Sequence, residues 1–112
     1  MKFWCFHFEG YFSSDAPLYS GEGVFSYSLV PADSYVDAEF SFLQALADEK
    51  INLVEIIEHF PVDTDPNEMD PTAEENKFWI EWCLETELLG KPTFDTFHLY
   101  PGEEVNRERP GN

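Results

Sequence analysis

Acid-rich chains with few aromatic residues stay unfolded, because they bury too little apolar surface to offset chain entropy. This chain sets 23 Asp and Glu against 6 Lys and Arg, a formal charge of -17, yet Phe, Trp or Tyr fill 17% of its 112 positions. The aromatic residues supply a core, so the charge belongs on the surface of a folded domain. That length suits one domain, which buries roughly two-thirds of its unfolded surface in a single core between two layers.

The charge narrows the classes of partner. Direct nucleic-acid binding needs Lys and Arg to displace counterions from phosphate, and anionic membranes attract polybasic segments. Neither is expected here. The natural complement is a basic protein, approached under electrostatic attraction. No window reaches the roughly 20 apolar residues that cross a bilayer. Cys5 and Cys83 form no CxxC or zinc spacing. They read as reduced thiols of a cytoplasmic protein.

Phe3–Phe12 (FWCFHFEGYF) alternates and is rich in aromatics, which predicts a strand. Trp4, Phe6, Phe8 and Phe12 share one face of it; Phe3, Cys5, His7, Glu9 and Tyr11 share the other. Residues 13–23 read as a loop and 24–30 as a second strand. There Phe25, Tyr27 and Leu29 are expected to face the core, with Ser26 and Ser28 turned away. Asp33 or Ser34 caps a helix running to about Glu49, with Phe40, Leu43, Leu46 and Ala47 on its apolar stripe and Lys50 suiting its last turn. Residues 51–60 fit both helical and strand spacing; their β-branched content favours a strand. An acidic loop over 61–72 precedes a helix from about Ala73 to Leu89. Thr72 caps that helix, Phe78, Trp79, Trp82, Cys83 and Leu89 line its buried side, and Gly90 and Pro92 end it. Residues 93–100 read as a last strand and 101–112 as a flexible tail.

The order ββαβαβ predicts an α+β two-layer sandwich over residues 1–100. Its four-stranded, mainly antiparallel sheet carries both helices on one face, an arrangement ferredoxin-like in architecture. Architecture of this kind carries no function.

Three sets of residues are candidates for a site. Asp63, Asp65, Glu68, Asp70, Glu74 and Glu75 form the densest acidic stretch and the expected partner-binding patch. Asp63, Asp65, Asn67 and Glu74 also fall at positions 1, 3, 5 and 12 of a calcium loop. Glu68 stands where that loop needs glycine and Pro71 at its ninth position, so a solvated or partner-facing loop is the better reading, and no metal or cofactor is expected. The sheet face away from the helices, with Phe3, His7, Tyr11, His98 and Tyr100, forms an aromatic interface, for a partner or a second copy of the chain, unless a loop covers it. Cys5, His7 and His98 could meet in a metal or thiol site, although lone strand histidines are more often packed residues.

No nucleophile elbow, P-loop, Rossmann glycine pattern or HExxH is present. The chain therefore reads as a small acidic binding protein rather than an enzyme: an immunity-type or nucleic-acid-charge-mimicking inhibitor of a basic partner such as a nuclease, with Tyr11, Trp79 or Trp82 as anchors. The alternatives are an oligomerising domain that pairs through its aromatic sheet face and, less favoured, a metal-binding protein or enzyme.

Overall fold

The computed structural model describes residues 2–17, 22–62 and 72–101. Its elements are β1 (Phe3–Phe12), β2 (Glu22–Pro31), α1 (Tyr35–Asp48), β3 (Ile51–Val62), α2 (Glu74–Leu89), β4 (Thr93–Phe94) and β5 (His98–Pro101). The sheet runs β3-β1-β2-β4, with β5 also paired to β2, and its ladders are antiparallel. Residues 51–62 are a strand, so β-branched content outweighs the competing helical spacing.

β1 is central, and its alternation sorts the core. Phe6, Phe8 and Phe12 lie with Val24 and Val30 beneath Ala38, Phe42 and Leu46 of α1. Phe6 stacks on Phe42 at 4.5 Å between ring centroids, and Phe8 meets the same ring edge-on at 5.2 Å. This is the two-layer α+β core that the sequence predicts. Helix placement is the correction. Phe3, Cys5 and Leu29, on the opposite face, cluster with Trp82 and Cys83 of α2. The two helices therefore cover different faces, and the ferredoxin-like likeness extends to the make-up of the fold but not to the position of α2. The reason lies in β1: its second face is apolar only at Phe3 and Cys5 and turns polar at His7 and Glu9, so α2 closes one end of that face.

Three other expectations are revised. Ser26 and Ser28 are fully buried on the α1 face, while Tyr27 packs against the α2 cluster. They stand opposite Phe8 and Phe6, where a small residue leaves room for a ring. Their hydroxyls also have partners: Ser28 Oγ donates to the Thr93 carbonyl at 3.0 Å, and Ser26 Oγ lies 3.2 Å from that of Asp95. On α1 the stripe that packs on the sheet is Ala38, Phe42 and Leu46, whereas Phe40 and Leu43 are exposed. On α2 the buried residues are Trp82, Cys83 and Thr86, while Phe78 and Leu89 are exposed.

Helix ends follow local chemistry. Ser34 Oγ accepts from the Asp37 amide at 3.2 Å, as its N-cap position requires. The N-cap position of α2 falls on Ala73 rather than on Thr72, where it was expected. Gly90 ends α2 at φ 68°, a left-handed conformation that glycine adopts without Cβ strain. Lys50 lies beyond α1, also at positive φ, and its Nζ bonds Asp15 at 2.9 Å.

The last strand divides into β4 and β5, both paired to β2. Thr93 anchors β4. Its Oγ1 accepts from Trp82 Nε1 at 2.8 Å and shares a 2.7 Å hydrogen bond with Thr86 Oγ1. Thr93→Val keeps the shape but strands the indole N–H and the Thr86 hydroxyl. It should cost about 1–3 kcal/mol in urea unfolding.

β1 and β3 meet with register shifts between His7 and Phe8 and between Glu9 and Gly10. The register steps over Ile57 and Val54, both exposed. At the second shift β3 crosses close over Gly10: a Cβ there would lie 2.7 Å from the Asn52 carbonyl oxygen and 2.9 Å from Ile51 Cγ2. Backbone cannot yield as a side-chain tip can. Gly10→Ala should therefore lower the urea midpoint by the equivalent of about 1–3 kcal/mol with the unfolding slope unchanged.

Candidate protein-binding surface

Asp63, Asp65, Glu68 and Asp70 lie outside the described residues, as does most of the calcium-like spacing. Glu74 and Glu75 occupy the first turn of α2, where the positive end of the helix favours carboxylates. Both are exposed, and Glu74 lies 3.8 Å from Lys77.

The aromatic sheet face is smaller than the sequence suggests. Phe3 is buried, packed with the α2 residues, and so leaves the candidate interface. Among the described residues no helix covers the other end of the same face, where the register sets residues side by side. Glu58 pairs with His7 and His7 with Tyr27; Glu55 pairs with Glu9, Glu9 with Phe25 and Phe25 with His98; Asn52 pairs with Tyr11 and Tyr11 with Gly23, which pairs with Tyr100. His7 stacks on Tyr27 at 4.2 Å with rings 6° from parallel. Tyr11 is 50% exposed and His98 is exposed.

The rows combine aromatic faces with carboxylates and contain no Lys or Arg. Such a surface suits a guanidinium or ammonium group, which gains from both the ring quadrupole and the carboxylates. The carboxylates of Glu55 and Glu58 were not singled out in the sequence. Their membership depends on the pairing of β1 with β3, which no local pattern encodes. The proposed anchors Trp79 and Trp82 belong to the α2 core, Trp82 buried and Trp79 packed against it.

Cys5, His7 and His98 do not converge on one centre. Cys5 is fully buried beneath α2, His7 stacks on Tyr27, and His98 sits across β2 beside Phe25. No group of three or more His, Cys, Asp or Glu side chains suited to a metal occurs among the described residues.

The two thiols are free and belong to the same cluster. Burial, helped by Glu58, Asp95 and Cys83, pushes Cys5 up from 9.0 to about 12. Burial and then Glu87 push Cys83 to about 11. Both are thus poor nucleophiles near neutrality. In the unfolded chain the thiols ionise near 9, while the native chain holds its protons to about 11 and 12. Their contribution to stability is complete below pH 9 and lost as pH rises through the native values. Cys5→Ala/Cys83→Ala should be less stable than the parent at neutral pH, yet lose less between about pH 8.5 and 10.5 in thermal melts.

No helix among the described residues is long and apolar enough to cross a membrane. Comparison with protein families, with curated proteins and with solved structures gave no significant match for this chain.

Proposed function

We propose that this protein binds a basic protein partner and blocks it, as an immunity-type or nucleic-acid-charge-mimicking inhibitor does. The observation that carries this reading is one end of the sheet, where, among the described residues, Tyr11, His7 and Tyr27 adjoin the exposed Glu55 and Glu58. Opposed to a cationic cleft, the carboxylates speed encounter and the aromatic faces anchor the bound state. Acids of the 63–75 stretch enlarge the attractive field. Binding rather than catalysis is also favoured by the elevated thiols and the lack of a nucleophile motif. Two reduced cysteines suit the cytoplasm.

Self-association through the same face is the second reading, favoured by the half-exposed Tyr11. The formal charge of -17 on each copy opposes it.

Capture from the native host, followed by mass spectrometry, supplies the partner for a kinetic test. Its association rate should fall about tenfold or more between low and physiological-to-high salt. Glu9→Gln/Glu55→Gln/Glu58→Gln should slow association, and Tyr11→Ala should mainly speed dissociation. An association rate indifferent to both salt and the triple substitution would sink the proposal.

A further inference from the structure

α1 carries two apolar stripes, and the sheet uses one. Ala38, Phe42 and Leu46 are buried, whereas Val36 is 75%, Phe40 71% and Leu43 43% exposed. At about 100° per residue, Val36, Phe40, Leu43 and Ala47 fall within about 60° of arc, turned away from the buried stripe. This outer face lies across the sheet from the Tyr11 surface, because α1 covers the opposite face. It is also continuous with a groove. Beside Phe40, the C-terminal half of α1 and the segment after α2 enclose about 300 Å³, with Phe40, Pro92 and Phe94 as apolar walls and Asp48 and Glu49 among the polar lining. Lys91 is the one base lining it among the described residues.

Charge selects the occupant. α1 contains Asp37, Glu39 and Asp48 and no Lys or Arg, and Asp33 and Glu49 flank it. A second copy would bring the same carboxylates face to face, on chains of -17 each. An apolar helix bordered by cations gains on both counts.

We infer that the outer face of α1 docks an amphipathic, Lys- or Arg-flanked helix of a partner protein. The partner's apolar residues lie on Val36, Phe40 and Leu43. One of its long basic side chains enters the groove, its stem against Phe40, Pro92 and Phe94 and its charge toward Asp48 and Glu49. This docking does not rest on the sheet-face proposal and uses none of its residues.

The test uses the full chain and a synthetic Leu/Lys peptide of about 18 residues, five turns, with leucines on one helical face. Controls are a peptide of the same composition without a helical face and a Leu/Glu peptide. At about 150 mM salt, where exposed charges are screened beyond about 8 Å, the amphipathic Leu/Lys peptide should shift amide resonances of residues 36–49 and 91–94. It should bind at least about tenfold more tightly than either control, a gap of about 1.4 kcal/mol. Phe40→Ser/Leu43→Ser should erase that advantage, and Asp48→Asn/Glu49→Gln should reduce it. Both positions of the first variant are exposed, so its melting temperature should stay near that of the parent. Tyr11→Ser should change nothing here. Equal binding of the scrambled peptide, resonance shifts confined to the sheet face, or binding untouched by Phe40→Ser/Leu43→Ser would overturn the proposal. So would a dimer in sedimentation that Phe40→Ser/Leu43→Ser dissolves, which would assign the face to a second copy.

Discussion

The packing of β1 against both of its surroundings is the contact on which the other elements depend. Phe6 and Phe8 converge on the single ring of Phe42, fixing α1 to the sheet. Three residues before each of these, Phe3 and Cys5 turn the opposite way and give α2 its seat. Beyond Cys5 the second face loses its apolar character. One helix is thus held along the sheet and the other only at its end, and the exposed cross-strand rows are the remainder. The candidate surface exists because the apolar pattern of a single strand stops partway.

Among the described residues, ion pairs add little to cohesion. Lys50 with Asp15 and Lys77 with Glu74 are surface pairs, both with exposed partners. The excess of carboxylates repels itself, so apolar burial and the hydrogen bonds around Thr93, Trp82 and Thr86 must hold the fold against the charge. A chain that retains such repulsion keeps its acids where they face outward, as Glu55 and Glu58 do on the edge strand.

Much of this arrangement was legible in residue patterns. The aromatic alternation of residues 3–12, the Ser34 cap and the Gly90 stop each reflect local chemistry, and each element formed where that chemistry put it. The failures share a different cause. Ser26 and Ser28 looked solvent-facing because a hydroxyl is polar, but partners about 65 to 70 residues away satisfy them. α1 offers two apolar stripes of similar strength, and only the meeting of Phe42 with Phe6 and Phe8 decides which one faces inward. The side of the sheet that α2 covers depends on the contrast between Cys5 and His7, visible only once β1 is known to be central. The candidate surface was half readable: His7, Tyr11 and His98 were visible from alternation, whereas Glu55 and Glu58 needed the pairing of β3.

The two register shifts of β3 have a consequence for the behaviour of the chain in solution. A long edge strand with an even row of free backbone groups would template a strand of another molecule. Val54 and Ile57 interrupt that row, and acidic side chains stand beside them. Growth of the sheet from chain to chain is thereby discouraged at the edge where it would be easiest.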